Sequence, residues 1–236
     1  MLSKYRGIPA NAWLEEVISN LEYRFGIKAD TENLTSFKQN EQLIGLEYLS
    51  DIIDSTINHN PLEISYNTYT DKNIEYMLHP YFVKQYNGRW FLIGFDENTG
   101  MIPNVALDRI STIRHSKNEF IANDKVDFKT YFNDIIGVSI PKNDVQKEHV
   151  ILKFSKGRFP YVVSKPMHHS QVIVNGEEFE IDIHVRPNRE LFQQIFSFIP
   201  DVEVVSPQWL REEIKAKIAE NLKKYESMQK DCIVNK

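Results

Sequence analysis

The stretch NGRWFLIGFDENTGMIPNVALDRIS, residues 87–111, decides the fold of this chain. Asn87-Gly88 lies between two runs rich in aromatic residues, YFVKQY (81–86) and RWFLIGF (89–95). Asn-Gly between such runs is a strong signal for a tight β-hairpin, because both turn residues must take a positive φ. The run NVALDRI (104–110) predicts the next strand. We therefore expect this stretch to form neighbouring strands of one sheet.

The residues before this hairpin change from a helical to an extended pattern. A helix is predicted from an apolar stripe at Leu46, Leu49, Ile53 and Ile57. Alternating apolar and polar residues then predict strands at 62–67 and 73–78, and we expect Pro80 to end the second. Together with the runs near the Asn-Gly turn, this makes five short strands with helices outside them. That arrangement predicts a small barrel.

A different order of elements begins near residue 148. The predicted order is strand, short helix, two strands around Asn175-Gly176, a helix, a strand and a closing helix. Asn188 is the expected N-cap of the internal helix, and Pro207 suits the first position of the closing helix. In the closing helix Leu210, Ile214, Ile218 and Leu222 repeat every four residues. The order β-α-β-β-α-β with a closing helix is the split βαβ pattern.

These patterns predict an α+β chain with two domains. A stripe of apolar residues predicts a first helix at 11–24, and polar residues 28–42 follow it as a connector. A short helical piece is expected at DFKTYFNDIIG, 127–137. The predicted parts are a helical linker region at 1–44, the barrel with its preceding helix at 45–120, a connector at 121–147, the second domain at 148–226 and a tail at 227–236.

Composition and motifs exclude several kinds of protein. The formal net charge of −5 means that a nucleic-acid contact would have to come from a local cluster of lysines and arginines. Cys232 is the only cysteine, and neither a signal-peptide core nor a membrane-length apolar run is visible. We therefore expect a soluble cytoplasmic protein. Phosphate-loop, dinucleotide-binding, metalloprotease and hydrolase motifs are absent, so we expect no enzyme activity, no cofactor and no metal.

The barrel strands hold the most specific candidates. Alternation along the strand after the turn places Trp90 and Leu92 on one face and Arg89 and Phe91 on the other. Arg109 ends an apolar run beside Asp108. An arginine there can clamp a backbone carbonyl or carboxylate, or it can form a fork to a phosphate or carboxylate of a ligand. The residues alone leave both roles open.

A second candidate surface lies in ILKFSKGRFPYVVSKPMHHSQ, residues 151–171. This stretch has no acidic residue, and its basic residues are Lys153, Lys156, Arg158 and Lys165. Aromatic residues and the pair His168-His169 are interleaved with them. Such a surface suits contact with single-stranded nucleic acid or a nucleotide, although a solvated polar face would have the same composition.

The chain resembles the WYL domain family, named for a Trp-Tyr-Leu triplet, which is Trp90-Phe91-Leu92 here. The resemblance extends back through LEISYNTY, with Tyr66, to LHPYFV, with His79, and forward to LDRI. The later segments KPMHHSQ, VRPNREL and VEVVSPQWLREEI resemble the WCX extension of the same family. Together these matches cover about residues 45–225.

The resemblance implies an Sm-like or SH3-like five-stranded barrel followed by a ferredoxin-like extension. Family members are mostly bacterial transcription regulators that read DNA through an N-terminal winged helix-turn-helix. The WYL part senses an anionic ligand, nucleic acid or nucleotide, and WCX aids dimerisation or sensing. The 44 residues before the barrel-associated helix are too few for a winged helix, so we expect a truncated chain rather than a stand-alone sensor. Ala106 and Pro103 stand where the family often carries arginine, which predicts modest affinity.

We therefore expect the effector-sensing and dimerising part of a WYL-type transcriptional regulator, forming a homodimer. The alternative is a stand-alone nucleic-acid-binding accessory protein that modulates a defence or nuclease system. The third hypothesis, an enzyme acting on nucleotides, lacks a visible catalytic set. For single-stranded nucleic acid or a nucleotide the expected contact residues are Tyr66, His79, Arg89, Phe91, Arg109, Lys156, Arg158 and His168.

Overall fold

The computed structural model describes residues 45–70, 72–142 and 144–233, with side chains described to residue 226. The predicted helix at 11–24 and the connector at 28–42 lie outside the described residues. The chain is α+β and divides between Val126 and Asp127 into two compact units. Each unit has its own antiparallel sheet. This division falls inside the predicted connector, and the predicted domain boundaries remain predictions.

Over its described residues, the first unit is a five-stranded antiparallel sheet with one α-helix. A 3₁₀ helix at Leu46–Tyr48 leads into α1, and a second 3₁₀ helix at Leu107–Arg109 joins the last two strands. The strand order is β4-β3-β2-β1-β5. The elements are α1 (Leu49–Ile57), β1 (Leu62–Asn67), β2 (Asn73–Tyr86), β3 (Arg89–Asp96), β4 (Asn104–Ala106) and β5 (Ile110–His115).

The Asn-Gly hairpin is confirmed. Asn87 and Gly88 both take a positive φ, 48° and 75°, and Tyr86 pairs with Arg89 across the turn. On β3 the predicted alternation also holds, because Leu92 is fully buried and Trp90 packs against the same core cluster. Arg89 is thereby held on the opposite face of the strand, at its first position.

Pro80 does not end a strand, so that expectation was wrong. β2 continues through it to Tyr86, and the register against β3 shifts between Pro80 and Phe82. Such a bulge already interrupts the ladder, so a residue without an N–H group is tolerated beside it.

The prediction of one strand over 104–110 was also wrong in part. Only Asn104–Ala106 is extended before the chain turns into the Leu107–Arg109 3₁₀ helix, and β5 begins at Ile110. The side chain of Leu107 is buried in the core, which explains the turn in physical terms. Asp108 and Arg109 therefore sit on a helical turn rather than on opposite faces of a strand.

The second unit has the predicted order of strands and helices. Its elements are β6 (Glu148–Phe154), α2 (Phe159–Ser164), β7 (Val172–Asn175), β8 (Glu180–Val185), α3 (Arg189–Phe198), β9 (Val202–Ser206) and α4 (Gln208–Ile233), and its sheet order is β7-β8-β6-β9. The Asn188 side chain accepts a hydrogen bond from the backbone N–H of Leu191 at 3.0 Å, which confirms the N-cap. Residues 127–137 form turns instead of the expected helical piece.

Candidate ligand-binding surface

Five side chains of the first unit meet where β1 ends, β3 begins and the second 3₁₀ helix turns. We call Tyr66, Tyr69, Arg89, Asp108 and Arg109 the arginine–tyrosine cluster. Sequence reasoning predicted Tyr66, Arg89 and Arg109 as contact residues and noted Asp108 only as a neighbour. It missed Tyr69, which lies in the loop between β1 and β2. These five side chains carry two guanidinium groups and one carboxylate.

Arg89 is held by three hydrogen bonds. Its Nε donates to Asp108 Oδ1 at 3.2 Å and its Nη2 to Asp108 Oδ2 at 2.6 Å, while Nη1 donates to the hydroxyl of Tyr69 at 2.9 Å. Burial opposes the charged form of Arg89, but the hydrogen bonds with Asp108 and Tyr69 outweigh it and raise the pKa of the guanidinium. The Arg89 charge is thus largely neutralised by Asp108.

Arg109 is held differently. Its Nε donates to the backbone carbonyl of Asn67 at 2.6 Å, the contact that the clamp interpretation requires. Its Cζ lies 3.6 Å from the ring centroid of Tyr69 and 5.9 Å from that of Tyr66. Within the part of the chain that the structure describes, no carboxylate pairs with Arg109. Its two terminal amino groups carry four further N–H donors, so the clamp contact leaves capacity for a ligand.

Tyr69 connects the two arginines. Its side chain is 71% exposed, yet Arg89 donates to its hydroxyl and Arg109 lies over its ring. The hydrogen bond from Arg89 lowers the pKa of the Tyr69 phenol. Tyr66 is half-buried beside Tyr76, with ring centroids 5.7 Å apart, and burial raises the pKa of its phenol.

Phe91 lies beside the cluster, with its ring centroid 5.9 Å from Arg89 Cζ. His79 does not join it. It pairs with Phe95 on β3, six residues from Arg89, which is roughly 20 Å along a strand. Its side chain is fully buried, and its Nδ1 accepts a hydrogen bond from the backbone N–H of Ile121 at 3.0 Å. The structure thus places His79 where it anchors the segment after β5.

The predicted residues of the second unit sit in different surroundings. Lys156 is exposed in the turn before α2. Arg158 pairs with Asp201, Nη2 to Oδ2 at 3.3 Å. His168 is buried, and burial lowers the pKa of its imidazole. Lys153, from the same basic stretch, pairs with Glu178.

The apparent excess of positive charge at 151–171 is therefore smaller in the structure than in the sequence. Acids distant in sequence, Glu178 and Asp201, neutralise two of its four basic residues. Only Lys156 and Lys165 remain exposed without such a partner among the described residues.

A small cavity of about 150 Å³ lies elsewhere in the first unit, lined by residues that include Tyr81, Phe95 and Lys125. It is below the size of ordinary small-molecule pockets, and none of its lining residues belongs to the arginine–tyrosine cluster. The cluster therefore lies apart from this cavity.

The described part of the chain contains neither a candidate metal cluster nor a candidate membrane-spanning helix. No group of three or more histidine, cysteine, aspartate or glutamate side chains there could hold a metal ion. Over the same residues, no helix combines the length and apolar character that crossing a bilayer requires.

Comparison with known proteins gives two family matches. The WYL domain family model matches residues 47–115, and the WCX domain family model matches residues 146–222. The arginine–tyrosine cluster lies wholly within the first of these ranges. No curated protein matches the chain.

Solved structures show distant similarity. Proteasome accessory factor B/C (PafBC) of Arthrobacter aurescens aligns with a TM-score of 0.37 and 15% identity, over 80% of this chain and 29% of that one. A CRISPR Cas-related protein aligns with a TM-score of 0.46 and 12% identity, over 78% of this chain and 52% of that one. This chain therefore spans about a third and about half of the length of these two proteins.

Proposed function

The chain belongs to the WYL-domain proteins that carry a WCX extension, and from that premise we propose that it is the ligand-sensing and dimerising portion of a bacterial transcriptional regulator. Its effector is a single-stranded nucleic acid or a nucleotide-like anion, bound at the arginine–tyrosine cluster. One observation carries the proposal: Arg109 has spare donors and no carboxylate partner among the described residues, and its Cζ lies 3.6 Å and 5.9 Å from the ring centroids of Tyr69 and Tyr66.

The chemistry of the cluster favours an anion that also carries an aromatic base. A guanidinium group matches the geometry of phosphate oxygens and stacks on planar rings. Aromatic side chains accept any base, because every base has a π face. Asp108 neutralises much of the positive charge of Arg89, and the whole chain has a net charge of −5. We therefore expect modest affinity that depends on salt.

We also propose a specific fold for each of the two units. The order β4-β3-β2-β1-β5, with a 3₁₀ helix before β5, supports an Sm-like or SH3-like barrel for the first unit. The order β7-β8-β6-β9, all antiparallel, supports a ferredoxin-like arrangement for the second. In this account the chain is a sensor without catalytic activity.

The decisive variant is Arg109→Ala. We expect the parent chain to bind a labelled oligothymidine at 50 mM salt, and the variant to bind it about ten-fold or more weakly, because a charge-assisted hydrogen bond contributes about 1.5–3 kcal/mol. Fluorescence anisotropy measures the affinity and thermal melting confirms that the variant folds. Arg114→Ala is the matched control, since Arg114 is an exposed arginine on β5 outside the cluster.

Two results would contradict the proposal. One is a parent chain that binds no anionic ligand at low salt. The other is an Arg109→Ala variant that folds and binds like the parent. If Arg109→Ala unfolds, its contact with the Asn67 carbonyl is a structural clamp, and the comparison is repeated with Arg109→Lys, which keeps a charged donor but loses the planar fork.

A further inference from the structure

The β1–β2 loop presents an exposed aromatic ring that the family resemblance did not single out. Tyr69 is 71% exposed, so its ring contributes little apolar burial to the fold. Exposed tyrosines are common, but this one is held at two separate points. That combination of exposure and restraint calls for a physical explanation.

The ring is positioned from inside the cluster. Arg89 Nη1 donates to its hydroxyl at 2.9 Å, and Arg109 Cζ lies 3.6 Å from the ring centroid. The loop is closed by a hydrogen bond from Thr68 N–H to the Lys72 carbonyl at 2.9 Å and another from Lys72 N–H to Thr68 Oγ1 at 3.1 Å. Tyr69 therefore enters binding with little conformational freedom left to lose, which favours affinity.

One face of this ring is covered by Arg109, and the large exposed fraction leaves the other face open to solvent. We propose that Tyr69 is a base-stacking platform, on which an unpaired nucleobase stacks while its phosphate contacts the arginines of the cluster. This inference rests on the proposed function and narrows the ligand to one with an accessible base. Inorganic phosphate and duplex DNA lack such a base.

The proposal distinguishes two contributions to binding. Arg109 supplies attraction to phosphate that every oligonucleotide shares. Tyr69 supplies stacking that depends on the presence of a base. A ligand of the same length and charge but without bases therefore keeps the first contribution and loses the second.

The experiment compares two eight-residue probes on the full chain: oligothymidine and an abasic oligomer with the same phosphates. The parent should bind oligothymidine about ten-fold more tightly than the abasic probe, which corresponds to ~1.4 kcal/mol of binding free energy. In Tyr69→Ala this ratio should fall to about one, because the abasic probe never used the stacking contact that the variant removes. Tyr69→Phe keeps the ring without the hydroxyl and should keep the ratio.

The outcomes separate this inference from the proposed function. A Tyr69→Ala variant that keeps the parent's ratio overturns the platform, and so does a parent that binds both probes equally while Arg109→Ala still weakens both. In either case anion binding at the cluster stands. A parent that binds neither probe at low salt overturns both proposals. Because the readout is a ratio within each variant, a change in overall stability does not alter it.

Discussion

Asp108 sets how much positive charge the cluster offers to a ligand. It takes two of the N–H groups of Arg89 in a bidentate pair whose members are 36% and 30% exposed. A pair so exposed contributes at most about 1 kcal/mol to stability. In the function proposed above, its larger effect is on ligand binding, because it neutralises one of the two cations of the cluster.

Asp108→Asn should therefore strengthen binding. The variant keeps a side chain of the same shape but frees the charge of Arg89, so we expect oligothymidine affinity to rise about three- to ten-fold with little change in melting temperature. Asp51→Asn is the matched control, because it changes net charge equally at an exposed position on α1. If both variants bind alike, Arg89 takes no part in binding.

His168 predicts a pH dependence of stability in the second unit. Burial lowers its pKa below the ordinary value of 6.5, and the neighbouring His169 lowers it further. Its Nδ1 accepts a hydrogen bond from Ser170 N–H at 3.2 Å, which only the unprotonated atom can do. The unfolded chain takes up this proton at a higher pH than the folded chain. The stability contributed by His168 is therefore complete above pH 6.5 and is lost as the pH falls towards the folded-state pKa.

The test is denaturant unfolding at pH 7.5 and pH 5.5. His168→Asn keeps an acceptor near Ser170 but cannot titrate, so its free energy of unfolding should fall less between the two pH values than that of the parent. His169→Asn, at the exposed neighbouring position, removes only the smaller of these two causes and leaves His168 buried, so it should keep most of the loss that the parent shows. An equal loss in the parent and in His168→Asn would show that other groups cause the acid sensitivity.

At the scale of single residues, the sequence identified the cations but not their partners. Arg89 and Arg109 were predicted from position and chemistry. Tyr69 was missed because nothing in a polar hairpin loop marks a tyrosine that will meet two distant arginines. The partners of Lys153 and Arg158 are acids 25 and 43 residues further along the chain, so only the fold could show that their charges are neutralised.

Elements with strong local signals were predicted well. The Asn87-Gly88 turn and the Asn188 cap follow from backbone conformation and hydrogen bonding within a few residues. The 3₁₀ helix at Leu107–Arg109 was not predicted, because tertiary contact determines it. Gly45 approaches it so closely that an added Cβ would lie 2.4 Å from the Leu107 carbonyl oxygen.

Which face of α1 is buried also depends on tertiary packing. The apolar stripe predicted Ile53 and Ile57 inward, but Ile52 and Ser55 are buried and Ile57 is 68% exposed. In a nine-residue helix, a rotation of about 100° about the axis replaces one residue by its neighbour on the buried face, and the sheet that the helix covers decides this rotation. Hydrophobic periodicity gave the helix but not its orientation.

The outer half of α4 predicts a homodimer. Leu210 and Ile214 are buried, but Ile218, Leu222 and Tyr225 continue the stripe at spacings of four and three and are 42%, 56% and 68% exposed. Such spacing is typical of helices that pair. The same segment carries both lysines and glutamates, so a second copy of this chain meets no surface of a single charge sign.

We expect analytical ultracentrifugation of the parent to show a species of twice 27.7 kDa at micromolar concentration. Leu222→Glu should shift the equilibrium to the monomer by at least about ten-fold in dissociation constant, because it places a charge in an apolar contact. Lys223→Glu, on an adjacent exposed position, is the control. A parent that remains a 27.7 kDa species at high micromolar concentration would exclude this dimer.

For the whole molecule, the distribution of charge matters more than its sum. The net charge of −5 would disfavour nucleic acid if it were spread evenly. The first unit instead concentrates two guanidinium groups and two tyrosine rings where two strands and a 3₁₀ helix meet. The sequence predicted the α+β class and two domains, because hydrophobic periodicity and the order of elements can be read along the chain. It could not predict which side chains form the arginine–tyrosine cluster, because they meet only when the sheet has formed.

The most direct test of the central claim is the salt dependence of oligothymidine affinity, measured on the full chain between 50 and 200 mM salt. For single strands the slope of log K against log salt is about −0.7 per phosphate neutralised. We predict a slope between about −0.7 and −1.4 for the parent, and a slope shallower by about 0.7 for Arg109→Ala. No binding at 50 mM salt, or a parent affinity that does not change with salt, would contradict the account.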